Sequence, residues 1–189
     1  QQIRTLVNEI MQLAHSEISP QEFYGEFLTR LVAALAAPGG ALWATEEQGQ
    51  GQLQLQYQVN LRDTHLAEMP ENEQRRHGRL LQKVMTSGDG LLLPARSGSG
   101  DDAEAGNPTD FLLVMGPLKT DLHVVGVVEI FQRSEAGPQT QMGYLRFLLQ
   151  MCEHAGDFLK SRQLRSLSDR QSLWTQLEEF SRSVHASLE

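Results

Sequence analysis

The residues of this chain that could do chemistry are few and scattered. Six histidines stand at His15, His65, His77, His123, His154 and His185, and no two share ligand spacing. His154 and Asp157 fall three residues apart on one helical face, which suits a metal only if a third ligand joins them, and the sequence offers none. Two surface polar residues are the simpler reading, and no metal site is expected. Cys152, the single cysteine, sits among Leu148, Leu149 and Ala155 as a small core residue would. One cysteine excludes an internal disulfide framework and a multi-cysteine zinc site, and it fits a reducing compartment, so a cytoplasmic location is expected. The SGSG at Ser97–Gly100 lacks the Lys-Ser/Thr of a phosphate loop, and no Ser, His and Asp group declares a nucleophile. No catalytic residue is therefore expected. What remains is His77, on an otherwise apolar helical stripe, and Glu129, a carboxylate inside an apolar run. A buried carboxylate must be paired: Glu129 either accepts a hydrogen bond from a ligand or meets an Arg or Lys of an outer helix.

The element that must position Glu129 is Phe111–Arg133, FLLVMGPLKTDLHVVGVVEIFQR. Two β-branched-rich runs, Phe111–Leu118 and Val124–Gln132, flank the polar segment Lys119, Thr120, Asp121 and predict an antiparallel hairpin. The second run is nearly continuous in apolar residues, so the hairpin needs cover on both faces and belongs in the middle of a sheet. Upstream, Ile3, Leu6, Val7, Ile10, Leu13 and Ala14 make Gln1–His15 an amphipathic helix. Ser19, Pro20 and Glu22 form a capping-box start for a helix carrying Phe23, Phe27, Leu28, Leu31, Val32 and Leu35, stopped by Pro38, Gly39 and Gly40. Ala41–Thr45 reads as a short strand, Glu46–Gly51 as a hairpin loop, and Gln52–Val59 as a strand with Leu53, Leu55, Tyr57 and Val59 on one face and a wet glutamine face. Asn60–Asn72 reads as a connection with a helical turn. A helix from Glu73 is stopped by Ser87 and Gly88, and Leu91–Leu93 is a short strand. Ala95–Asp110 holds no apolar anchor and reads as a disordered loop or a mobile lid, the former favoured by its length.

Pro138 opens a helix that runs to the end of the chain, with Gly143 and Gly156 as weak points of roughly 1 kcal/mol each relative to Ala. In its second part Leu167, Trp174, Leu177, Val184 and Leu188 fall on a heptad pattern whose skipped positions hold Arg170 and Ser181, a coiled-coil seam with polar interruptions. The 189 residues suit one well-buried domain of roughly 150 residues plus an appendage. A formal charge of -8 argues against a phosphate-backbone binder, so no nucleic-acid partner is expected. No apolar run approaches the ~20 residues of a membrane span, and no membrane contact is expected. Gln1 and Gln2 show neither an initiator Met nor a signal peptide, as in a piece cut from a longer chain.

This order of elements, with LLVMGPLKTDLHVVGVVEIFQR as its carrying segment, resembles the GAF domain, a sensory module related to PAS. In that family's ending a strand reaches a proline and an apolar residue, then turns into Gly-Val and further apolar residues. Here these are Pro117, Leu118, Gly126, Val127, Val128 and Ile130. The resemblance implies an α+β fold: a GAF-like central antiparallel sheet, helices on both faces and a long C-terminal linker helix. It implies three parts, an N-terminal amphipathic dimer helix over 1–15, a GAF-like domain over 16–160 and a coiled-coil linker over 161–189. Glu179–Leu188, EFSRSVHASL, resembles the entry helix of a second such domain. The chain would then be the first of tandem GAF domains, as in bacterial signalling proteins or haemolysin-D-type secretion adaptors.

What the resemblance implies for function is a non-catalytic sensory module that binds a small molecule and signals through a homodimer. Its cavity would lie beneath the hairpin and be lined by Trp43, Tyr57, Leu93 and Met115, with Ala95–Asp110 over the mouth and His77 and Glu129 as polar contacts. His77 is the position that could reach a haem iron, as in the few haem-binding members, and a partly buried structural histidine is the plainer reading. Cys152 lies away from where bilin-binding members carry their cysteine, and the reductases built on this fold use more than one cysteine. The Asn-Lys-Phe-Asp-Glu set of cyclic-nucleotide-binding members is absent from the sequence. No obligatory cofactor is expected, haem and bilin included. The dimer interface would comprise Ile3, Leu6, Ile10, Leu148, Leu167, Trp174, Leu177, Val184 and Leu188. The alternative is a purely structural dimerisation and spacer domain with a filled pocket.

Overall fold

The computed structural model describes residues 2–46, 51–121 and 123–188. The expected hairpin is present as β6 (Leu112–Lys119) and β7 (Val124–Gln132). With β1 (Gly39–Ala44), β2 (Gln54–Val59) and β3 (Leu91–Leu93) it builds one five-stranded antiparallel sheet in the order β2-β1-β7-β6-β3. The hairpin is thus central, as continuous apolar strands require. Most of the expected loop Glu46–Gly51 between β1 and β2 lies outside the described residues.

Three helices cover one face: α1 (Gln2–Ala14), α2 (Pro20–Ala34) and the first third of α4 (Pro138–Leu188). The capping box that starts α2 forms, with the Glu22 amide donating to Ser19 Oγ at 3.2 Å. Phe23 of α2 is stacked on Phe158 of α4 with ring centroids 4.0 Å apart, and Leu112, Val114, Val128 and Ile130 of the hairpin close this core. α3 (Glu71–Ser87) covers the other face, setting Leu80, Leu81 and Val84 against Leu113, Met115, Val127 and Phe131. Ile10 and Leu148, expected at a dimer interface, are fully buried in the chain's own core, so neither position is free to meet a second copy. α1 is held to α2 by the Glu9 carboxylate accepting from Arg30 Nε at 2.7 Å.

Two sequence expectations are corrected. Leu53, Leu55, Tyr57 and Val59 do not share a face. Leu42 pairs with Tyr57 but Trp43 pairs with Leu55, so Gln56 is an extra residue, and this bulge inverts the side-chain alternation between Leu55 and Tyr57. The stretch Ala95–Asp110 forms a two-stranded hairpin, β4 (Gly98–Ser99) and β5 (Asp102–Gly106), packed on α3. Its anchors are polar. Buried Asn107 donates to the carbonyls of Pro94 and Phe111 at 2.9 and 2.8 Å and accepts from the Thr109 amide at 2.9 Å. Lys83 of α3 holds Ser99 Oγ at 2.5 Å, and Arg79 reaches Glu104 at 2.9 Å.

α4 leaves the body near Arg165, whose guanidinium still reaches the Ser16 carbonyl at 3.4 Å. Its remaining residues project for roughly 35 Å at 1.5 Å per residue. No helix among the described residues is long and apolar enough to cross a membrane. The two helical glycines expected as weak points differ in kind. A Cβ on Gly143 would meet nothing, whereas one on Gly156 would lie 2.6 Å from the Lys119 carbonyl oxygen at the end of β6. Gly143→Ala should therefore stabilise the chain by about 1 kcal/mol through helix propensity, and Gly156→Ala should lower Tm despite the same propensity gain; denaturant melts of the two variants check this.

Candidate functional site

Glu129 sits on β7 with its side chain on the α3 side of the sheet, and it is completely buried. Its direct neighbours across the sheet are Ala41 on β1 and Met115 on β6. Ala41 is small, and the diagonal residue Trp43 swings its indole across to donate Nε1–H to Glu129 Oε1 at 3.1 Å. From above, α3 brings down His77, whose Nε2 bonds Glu129 Oε2. Both carboxylate oxygens are thus satisfied, as a buried carboxylate demands. Glu129, expected to meet either a ligand or an Arg or Lys of an outer helix, has instead Trp43 of β1 and His77 of α3 as its partners.

Burial depresses the basicity of His77, but the charge of Glu129 and its hydrogen bond outweigh that effect and hold His77 protonated above its ordinary range. The partners of the pair come from elements 52 residues apart in sequence. A buried pair of this kind contributes little net stability against an apolar replacement, yet losing one member strands the other charge.

His77 and Trp43 also form the floor of an open cleft of about 750 Å³. One wall is Leu53 and Leu55, turned to this side by the Gln56 bulge. Another is Leu81 with Gly78 of α3. The third is built by two short 3-10 turns, Leu61–Thr64 and Leu66–Glu68, which contribute Leu61, Arg62 and Leu66, with His65 between them. These turns are fixed by Thr64 Oγ1 donating to the Leu61 carbonyl at 2.6 Å and by Gln74 of α3 donating to the Met69 carbonyl at 2.9 Å. Asn60 and His65 take left-handed backbone at φ 52 and 59, conformations that break the chain into two separate turns.

Of the six residues expected around a ligand, the structure brings Trp43, His77 and Glu129 together. Leu93 and Met115 lie on the same face but are packed beneath α3, away from the cleft. Tyr57 is on the opposite face, its ring against Gly25 of α2. No residue of 95–110 lines the cleft, so that hairpin is not over its mouth. The turn residues Leu61, Arg62, His65 and Leu66 escaped sequence reading because 3-10 turns carry no apolar period. Asn60 and the Asp63-Thr64 pair were the available signal. Among the described residues no group of three His, Cys, Asp or Glu is placed to hold a metal ion. Burial drives the Cys152 thiol far above its ordinary value, so it is not a thiolate at neutral pH.

The raised His77 sets a sign for stability against pH. Its contribution is fully present below the ordinary histidine range and is lost as pH rises through the raised value. Unfolding free energy should fall on going from neutral to alkaline pH, and Glu129→Gln should flatten that slope. His77→Leu should cost about 3–5 kcal/mol by stranding the carboxylate, with most of the loss restored in His77→Leu/Glu129→Gln; urea melts at several pH values measure all three.

No family model and no curated protein sequence matches the chain. Solved structures do. The nlh2 GAF domain of A. aeolicus, crystallised in an inactive state, is 19% identical, with a TM-score of 0.62 over 85% of this chain and 97% of that one. Residues 122 to 287 of a methyl-accepting chemotaxis protein are 15% identical, with a TM-score of 0.61 over 85% of this chain and 99% of the other. The free methionine-R-sulfoxide reductase of Neisseria meningitidis, solved with its substrate, is 13% identical, with a TM-score of 0.58 over 86% and 91%. At such identities likeness speaks for architecture and not for chemistry. The five-stranded antiparallel sheet, its helical layers and the long C-terminal helix are those of a GAF-like α+β fold.

Proposed function

We propose that the chain is a cytoplasmic, non-catalytic sensory or regulatory module of the GAF type, which takes a small molecule into the cleft and passes the event along α4 of a homodimer. The observation that carries this reading is the cleft itself, with a nearly buried imidazole in its floor beside an indole. Its volume is in the range of about 300–1,000 Å³ that small-molecule sites occupy. The non-catalytic part rests on the way His77 and Glu129 engage each other, and on a thiol that is buried on the far side of the sheet. The architectural likeness to a segment of a chemotaxis protein is consistent with a sensory role.

The dimer rests on α4. Leu167, Trp174, Leu177, Val184 and Leu188 are each between 40 and 79% exposed, on a helix that nothing else in the described chain supports. A projecting helix of this length is marginal in water without a partner for its apolar stripe. A second copy, paired in parallel along the heptad seam, supplies one. We place 161–189 as the linker to a following domain, with 16–160 as the sensing unit. The spacer alternative presumes a filled pocket, and the open cleft speaks against that premise.

Two measurements test the reading. In sedimentation the chain should be a dimer, and Leu167→Asp or Trp174→Asp should raise its dissociation constant at least about tenfold. In a thermal-shift screen of metabolites, one class at about 100 times its Kd should add about 2.7 kcal/mol, or about 5–10 °C in Tm. A chain that stays monomeric at high concentration, with a Tm that no metabolite moves, sinks the proposal.

A further inference from the structure

We infer that the cleft selects an organic monocarboxylate with an apolar or aromatic body, whose carboxylate accepts the Nδ1–H of His77. This rests on the cleft being a ligand site and goes further by naming the class.

His77 is only 6% exposed, and its Nε2 is committed to Glu129. Nδ1 has no partner among the described residues, yet no buried side-chain polar atom there lacks one. Nδ1 therefore reaches open space, and the open space that His77 lines is the cleft. Nε2 is turned to an acceptor-only carboxylate, and the Glu129 charge raises the His77 pKa against the opposing effect of burial; the ring with both protons, which that charge favours, presents Nδ1–H to the cleft. The ring asks for an acceptor.

Charge narrows the acceptor. Arg62 lines the cleft with no ion pair among the described residues, and the acidic Glu68 is an exposed rim residue whose carboxylate lies 3.4 Å from His65 Nδ1. Both oxygens of Glu129 are already taken. A cationic ligand would find one exposed carboxylate at the rim and none on the floor, while an anion would find an N–H on the floor and a guanidinium at the rim. A phosphate is a poor match, because such groups draw on clustered backbone N–H donors and a helix N-terminus, and the first turn of α3 carries Glu71 and Glu73 instead. A small inorganic anion would leave most of the 750 Å³ unfilled. Trp43 in the floor and Leu53, Leu55, Leu61 and Leu81 in the walls supply apolar surface for an organic body.

The experiment uses the full chain with Trp174→Phe, which leaves Trp43 as the only indole of the two in the sequence. Its fluorescence is followed against phenylacetate, phenylacetamide and phenethylammonium, then hexanoate and hexanamide, with inorganic phosphate alongside. Each acid should bind at least about tenfold tighter than its amide, with no response to the ammonium ion or to phosphate. Arg62→Gln, at an exposed position, should weaken the acids several-fold and leave the amides unchanged, and the imidazole N–H signal of His77 in proton NMR should move on adding acid. Amides binding as tightly as acids, or the ammonium binding tighter, would overturn the carboxylate assignment and leave the cleft reading standing. Silence from every probe up to about 10 mM, with another metabolite class raising Tm, would also overturn only the assignment; silence in both experiments removes the two together.

Discussion

A carboxylate with no access to water, placed in the middle strand of a sheet, constrains everything around it. Glu129 cannot be tolerated there uncompensated, because an unpaired buried charge costs several kcal/mol. Its compensation needs three elements in register. β1 must pair with β7 so that Trp43 is diagonal to Glu129, Ala41 must be small enough to let the indole pass, and α3 must lie on this face with His77 pointing down. A one-residue slip of β1 would turn Trp43 to the other face and leave Oε1 without a donor. The polar cluster thus specifies register where the surrounding Val, Ile and Leu residues would accept alternatives.

The sheet separates two environments of different character. On the face covered by α1, α2 and α4 the packing is aromatic and closed, with Phe23 stacked between Phe27 and Phe158 at 5.5 and 4.0 Å. The other face is covered mainly by α3, whose core with β3, β6 and β7 is joined by Ala41 of β1, Leu66 of the second 3-10 turn and Ala105 of β5. The cleft opens on this face over Trp43 of β1 and Leu55 of β2. The Gln56 bulge fits this division. It lets Tyr57 and Val59 serve the closed face while Leu53 and Leu55 serve the open one, so one short strand supplies apolar surface to both.

What could be read from the sequence was local. The hairpin β6-β7, the capping box of α2 and the long run of α4 declare themselves through strand runs, an S-P-x-E start and an uninterrupted helical period within a few residues of one another. What could not be read was decided by partners far along the chain. Glu129 and His77 each stood out as a polar residue in an apolar setting, but nothing in either segment tells that one meets the other. The hairpin over 98–106 looked unanchored because its anchors are Asn107, Thr109 and the basic residues of α3, which carry no hydrophobic signal. The bulge at Gln56 was hidden by a strict alternation in sequence that the strand does not keep in space. Ile10 and Leu148 were assigned to a dimer seam because periodicity shows that a face is apolar but not what covers it.

The cleft and α4 lie on opposite faces of the sheet, so any coupling between them in the proposed function must pass through strands. The shortest route is visible in the register. Glu129 pairs across the sheet with Met115, and the next residue on that strand, Gly116, faces α4. There a Cβ would stand 3.0 Å from Cys152 Sγ and 3.2 Å from Leu148 Cγ, so the helix lies nearly on the backbone of β6. Gly156 makes the matching approach from the helix side, against the Lys119 carbonyl. Contacts this close leave little slack to absorb a displacement, and close-packed interiors respond to a shift by moving as bodies. In the proposed function, a ligand that drew His77 toward the cleft would act on Glu129, on the β6-β7 ladder and then on α4 through the close approaches at Gly116 and Gly156. Among the described residues α4 is last tied to the body at Arg165, through Ser16 and Glu17, so in the proposed homodimer the seam beyond it would answer by changing how two copies pack.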